Sequence, residues 1–335
     1  MLYKSSLLLI SAQTPSFLST FYATCINQAL HITIAKGGTL DILVMSPLKN
    51  VYVLEKVIGE LYDISRREAE ATNRTEVNVR VLIDRNESRE RRNNNWDVIA
   101  VGQYEYLLVQ DFREGQAANS SSCHLPSVIL KMAEDPQVYL LNGAIEEEEE
   151  HDVDEQISKS MAQLRLESAS MGQHTIMAIG GTFDHLHDGH KILISVGGYL
   201  SNERLVIGVT GPELLKNKKY AEYLQDFDER VKKVRDFAHF LFPDLVLQIE
   251  IINDVYGPTA TDPNIEGLVV SKETKEGAKA INEYRIQHNM NELVVYEIMI
   301  IGCVSGSAQD NWSDKLSSTQ LRKKELELLG KSQKS

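Results

Sequence analysis

Cysteine is scarce in this 335-residue chain, and the three present, Cys25, Cys123 and Cys303, lie too far apart to match a zinc-ligand spacing. They read as reduced thiols of a cytosolic protein, which excludes a disulfide-held scaffold. Positive charge is also short: 35 Lys and Arg stand against 48 Asp and Glu, a formal net charge of −13. That balance argues against a general nucleic-acid binder or a protein of anionic membrane surfaces, and leaves room for a local basic pocket. No apolar run approaches the roughly eighteen residues that a membrane span requires. The apolar run that ends at Ile10 is too short for a signal peptide, and Gln13 and Pro15 follow at once. It reads as a first buried strand.

What is present is the make-up of a globular protein, 42% hydrophobic and 25% charged, over a length that accommodates two cores. Apolar runs at 7–10, 32–35, 41–45, 77–83, 98–101 and 138–141 predict strands. The spacing over 17–30 and 51–71, the latter with Val53, Leu54, Val57, Ile58, Leu61 and Ile64, predicts helices between them. Alternating strands and helices make residues 1–143 an α/β domain. It carries no nucleophile, paired carboxylate or metal constellation, and its Arg- and Asn-rich stretch at 80–95 reads as a solvated loop. Glu146–Glu150 begins a block of like charge that repels itself and offers nothing to a core. Residues 144–172 are therefore an expected acidic linker.

A second domain is expected over 173–330, followed by a short tail at 331–335. An apolar run at 176–179 predicts a strand, broken by Gly180 and Gly181. A helical pattern follows Gly189: Ile192, Leu193, Val196, Tyr199 and Leu200. Strand, glycine turn and helix build a phosphate site, because backbone N–H groups and a helix N-terminus converge there. His187 and His190 straddle Gly189 in that turn. Further strands are expected at 204–210, 245–252, 267–270 and 293–301. Helices are expected from Asp226, with Glu229 as its capping partner, and over 272–289. The class is a doubly wound parallel sheet. Two basic clusters accompany it: Lys216, Lys218 and Lys219 after the second strand, and Lys315 with Arg322 around Ser317, Ser318 and Thr319. Hydroxyls and cations at a helix start suit a polyphosphate.

The His-x-Gly-His pattern resembles the signature of the class I nucleotidyltransferases. Gly-Gly-Thr-Phe-Asp-x-Leu-His-x-x-His, Asp-Glu-Arg-Val, Tyr-Gly-Pro, Val-Val-Ser-x-Glu-Thr and Ser-Ser-Thr-x-x-Arg follow in the order found in eukaryotic phosphopantetheine adenylyltransferases. The likeness covers about residues 175–330 and is to the monofunctional, fungal type. Gly330-Lys-Ser has no glycine five residues earlier and is no Walker A loop. The resemblance implies a cytoplasmic enzyme that joins ATP, with Mg²⁺, to 4′-phosphopantetheine, giving dephospho-coenzyme A and pyrophosphate. It further implies that Thr182, beside Gly181, touches the substrate phosphate and that His190 donates to the α/β-phosphate region. His187 would contact the triphosphate, Lys216 or Lys219 would bridge the two phosphates, and Ser317, Ser318, Thr319 and Arg322 would hold the β- and γ-phosphates. Asp184 and His185 read as turn and packing residues, and no protein metal site is expected. Where bacterial relatives carry arginines this chain has Ser271-Lys-Glu-Thr, which leaves Arg285 or Lys272 as candidate partners of the pantetheine arm.

Two other readings share part of the pattern. A cytidylyltransferase acting on a phosphoalcohol has His-x-Gly-His but calls for Arg-Thr-x-Gly-Ile-Ser, absent here. A scaffold that gathers other enzymes of coenzyme A synthesis through its first half is the non-catalytic alternative, and can coexist with activity.

Overall fold

Short apolar runs without polar alternation belong to parallel strands covered on both faces. In the computed structural model these runs, all but the one at 32–35, supply the strands of two sheets. The structure describes residues 1–10, 20–44, 51–83, 96–101, 137–141, 174–216, 218–298, 318–319, 321–323 and 326–327. The expected linker at 144–172, residues 302–314, Lys315, Ser317 and the expected tail at 331–335 lie outside them. The chain divides into two compact units, Met1–Met171 and Gly172–Ser335.

The first unit has strands β1 (Ser5–Ile10), β2 (Thr39–Val44), β3 (Asn78–Ile83), β4 (Val98–Val101) and β5 (Gln137–Leu140), with helices α1 (Thr20–Ile32) and α2 (Val51–Ala71). The strands lie in the order β3-β2-β1-β4-β5, all parallel. Leu7 to Ile10 on the central strand are fully buried, as are Leu54, Val57, Ile58 and Leu61 along one side of α2. Among the described residues of this unit, Asp41 is the most deeply buried charge. Asp41 is inaccessible and accepts from Arg80 Nε and Nη2 at 2.6 and 2.7 Å and from Trp96 Nε1 at 2.7 Å. A buried carboxylate so saturated is a structural tie. The strand expected at 32–35 does not form. Helix α1 runs on to Ile32, and Thr33 closes it, with its hydroxyl 2.8 Å from the Ala29 carbonyl and a single bridge to Tyr3.

The second unit repeats the plan with β6 (His174–Gly181), α3 (Asp188–Leu200), β7 (Ser201–Thr210), α4 (Phe227–Leu241), β8 (Val246–Ile252), β9 (Gly267–Ser271), α5 (Lys275–Gln287) and β10 (Val294–Ile298). Strand order is β10-β9-β6-β7-β8, again all parallel. The first strand is central in both units, with the second and third on one side and the fourth and fifth on the other. Connections therefore part at β6, and such a switch point, beyond the carboxyl ends of the strands, is where open α/β sheets bind ligands. Helix α3 lies on β6, β7 and β9 and against α4. Its residues from Ile192 to Leu200 are all buried, which fixes the helix whose N-terminus faces that switch point.

The crossover from β8 to β9 has only a 3-10 turn, Gly257–Ala260, where the other crossovers of this unit have α-helices. Arg285, fully buried on α5, holds it: the guanidinium donates to the carbonyls of Thr259 and Asn291 at 2.6 Å, Asp262 and Ile265 at 3.1 Å and Pro263 at 3.3 Å. This corrects the expectation that Arg285 is open to a substrate arm. Its donors are taken by backbone.

Candidate active site

Beyond Gly181, the last residue of β6, the chain must turn sharply to begin α3 at Asp188. It does so with two non-glycine residues in the left-handed region, Phe183 at φ 51° and His185 at φ 50°. Such backbone costs roughly 1 kcal/mol or more per residue and persists only where surroundings over-determine it. Asp184, between them and inaccessible to solvent, supplies the determination. Its Oδ1 accepts from the Gln225 amide at 3.0 Å and lies 3.0 Å from His185 Nδ1, and its Oδ2 accepts from Arg322 Nη1 at 2.5 Å. Its own carbonyl accepts from Ser318 Oγ at 3.0 Å.

The turn presents two stacked imidazoles. The rings of His187 and His190 lie 3.8 Å apart and 22° from parallel, and Phe183 backs His190 at 5.2 Å. Gly189 between them leaves room for the stack, since a Cβ there would come within 3.2 Å of the His187 ring and press on it. His187 is the N-cap of α3 but makes no side-chain cap bond. Nδ1 of each ring is buried and has no hydrogen-bond partner among the described residues. Burial first, and the adjacent His187 second, hold His190 well below the ordinary histidine range. Burial lowers His187 to about 4, against the opposing pull of Asp188 and Asp184. Both rings are thus neutral at pH 7, each able to donate one N–H beside the positive end of a helix.

Three further segments meet this turn. Arg230 on α4, 1% exposed, ties the strand ends together: Nη1 donates to the carbonyls of Thr182 at 2.7 Å and Thr210 at 2.9 Å, and Nε to that of Gln225 at 3.1 Å. Thr182 is thereby fixed at the mouth of the sheet. The lysine loop arrives through Lys219, whose carbonyl accepts from Arg322 Nε at 3.1 Å. The terminal helical residues arrive through Ser318 and through Thr319, whose Oγ1 accepts from Arg322 Nη2 at 3.1 Å. The structure therefore brings together Gly181, Thr182, His187, His190, Ser318, Thr319, Arg322 and the backbone of Lys219. The Lys216 ammonium lies 2.5 Å from Glu213 in an exposed pair. Arg322 itself is 1% exposed, with a protein acceptor at each of its three nitrogens.

Residues 178–324 match a family model described as cytidylyltransferase-like, a span holding the histidine turn, the lysine loop and Arg322. The phosphopantetheine adenylyltransferase of Saccharomyces cerevisiae is 32% identical over 319 residues, covering 95% of this chain and 93% of that protein. This chain belongs to the phosphopantetheine adenylyltransferase family. An archaeal member, from Pyrococcus abyssi, is 34% identical over 148 residues, 44% of this chain and 87% of its own length. A stretch shorter than half of this chain thus accounts for most of that member. An uncharacterized protein of Schizosaccharomyces pombe is 40% identical over 148 residues, 47% of its length. For a family of nucleotidyltransferases the important charges are those of phosphates, and neutral N–H donors, helix N-termini and lysines are the groups that meet them. The residues that sequence reasoning passed over are Arg230, Gln225 and the full role of Asp184. Their partners are mostly backbone atoms, which have no sequence signature. The one available signal was an arginine, Arg230, on the buried side of an amphipathic helix.

Proposed function

We propose that this chain transfers AMP from ATP to 4′-phosphopantetheine, forming dephospho-coenzyme A and pyrophosphate in coenzyme A biosynthesis. The observation that carries this reading is the stacked neutral pair His187–His190, whose buried Nδ1 atoms have no partner among the described residues, at the N-terminus of α3. A phosphate oxygen of phosphopantetheine attacks the α-phosphorus of ATP. The bond from that phosphorus to the bridging oxygen breaks, and its electron pair leaves with pyrophosphate. The nucleophile is already ionised at pH 7, so no side-chain base is needed, and catalysis consists of alignment and charge stabilisation.

Thr182 holds the attacking phosphate, and His190 donates to the α/β-phosphate region as charge moves onto the leaving group. His187 contacts the triphosphate. Lys219 is the better placed bridging lysine, because its backbone is tied beside Asp184 while Lys216 is engaged with Glu213. Ser317, Ser318 and Thr319 attend the β- and γ-phosphates. Magnesium would arrive bound to ATP and reduce the charge of its phosphates, leaving this chain's own N–H donors and cations to meet the rest. A cytoplasmic setting fits the scattered cysteines. Among the described residues no helix is long and apolar enough to cross a membrane. A docking role for the first unit toward other enzymes of coenzyme A synthesis is compatible with this activity.

The test is pyrophosphate release by the purified chain. With phosphopantetheine and Mg²⁺, ATP should support turnover better than CTP by about tenfold or more, a difference of about 1.4 kcal/mol in barrier. Turnover of CTP with a phosphoalcohol, at an equal or higher rate, would instead establish the cytidylyltransferase reading.

A further inference from the structure

Asp184 and Arg322 form a buried ion pair across 138 residues of sequence, with side chains 0% and 2% exposed. Taking two charges out of water is costly, and such pairs stand only where geometry and additional hydrogen bonds are good. Here they are. Asp184 is also bonded by the Gln225 amide and His185, and Arg322 also by the Lys219 carbonyl and Thr319 Oγ1. One ion pair thus joins the histidine turn, the lysine loop and the terminal helical residues. It sits between the two left-handed residues whose backbone must be held for the turn to exist.

We propose that Arg322 serves the triphosphate site through Asp184, as a positioning residue, and is not itself a ligand of the phosphates. The proposal rests on the adenylyl-transfer reading for what the site binds. Rotating Arg322 toward a nucleotide would take from the buried Asp184 carboxylate its bonded cation, leaving it the Gln225 N–H and His185, and would loosen the strained turn that carries Thr182, His187 and His190. Kept in place, it sets the distance between those groups and Lys219.

The experiment compares ligands with and without β- and γ-phosphates on Arg322→Met, Asp184→Asn and the double variant, by equilibrium titration of ATP, AMP and dephospho-coenzyme A. If Arg322 positions, each single change weakens all three ligands by the same factor, about tenfold to a hundredfold, because the whole turn relaxes. The double variant is then no worse than the worse single. Arg322→Lys does not rescue, since one ammonium cannot reach three separated acceptors. If Arg322 is a phosphate ligand, Arg322→Met weakens ATP alone, by the same factor in either Asp184 background, and Arg322→Lys recovers part of the loss. That pattern overturns the proposal. Should the single variants fail to fold, the double variant, which removes both buried charges together, still gives the ATP-to-AMP comparison. A wild-type chain that binds ATP and AMP but not dephospho-coenzyme A would refute the adenylyl-transfer reading alone.

Discussion

His190 is where the physics of one side chain meets the chemistry of the site. A half-buried neutral ring, with a buried Nδ1 that has no partner among the described residues, contributes little to the core but offers a fixed donor to developing charge. His190→Ala should therefore lower turnover by roughly 10²–10³, about 3–4 kcal/mol, with Michaelis constants changed much less. Its thermal midpoint at pH 7.5 should stay near wild type. Acid separates the two proteins further. Histidine in the unfolded chain binds a proton below about 6.5, whereas His187 does so in the native state only near 4, and His190 is also held low. The unfolded state thus carries more protons between these values, and stability falls as pH falls through that window. The variant lacks one of the two groups, so its midpoint should drop less steeply from pH 6.5 to 4.5. Parallel midpoint curves, or normal turnover with a lowered midpoint at pH 7.5, would show a packing histidine.

At the scale of elements, the placement of α3 matters most, because its N-terminus and His190 move with it. The helix is pressed onto β6 at Gly197, where a Cβ would lie 2.5 Å from Ile179 Cγ2, and onto Phe242 at Gly198. Gly197→Ala gains about 1 kcal/mol of helix propensity but meets about 1–3 kcal/mol of overpacking against a stiff β-branched neighbour. The expected net result is a lower midpoint together with a raised Michaelis constant for ATP, as the helix end shifts. A higher midpoint with unchanged kinetics would show slack in this contact. Most elements were legible in the sequence because parallel strands buried on both faces leave continuous apolar runs, as in Leu7–Ile10 and Leu205–Ile207. Ile32–Ala35 misled, since a short apolar run at a helix end looks the same. The capping pair was half right. Asp226 is the N-cap of α4 without a side-chain bond, and Glu229 instead accepts from Gln225 at 3.0 Å and pairs with Lys233. The histidine turn was legible from His187, Gly189 and His190. The arginine ties were not, because Arg230 and Arg285 bind carbonyls, and any residue has a carbonyl.

The molecule as a whole is two sheets of the same strand order in succession, one of which holds the described site residues. Every bond described around the histidine turn begins and ends within Gly172–Ser335. A fragment starting near residue 173 should therefore fold and retain transferase activity. Comparing its turnover and cooperative melting with those of the full chain checks this. An insoluble or inactive fragment, with the full chain active, would mean that the first unit completes the core or the site.

The Asp184–Arg322 tie also has a consequence in time. A ribosome adds residues at about 5–20 per second, so the arginine follows its carboxylate by roughly 7–30 s, and longer before it clears the exit tunnel. During that interval β6 to β10 can be completed, yet the histidine turn lacks the partner that fixes it. Through that interval the emerging domain is a formed sheet with an unset active site, and the turn is set only once Arg322 has emerged and docked on Asp184.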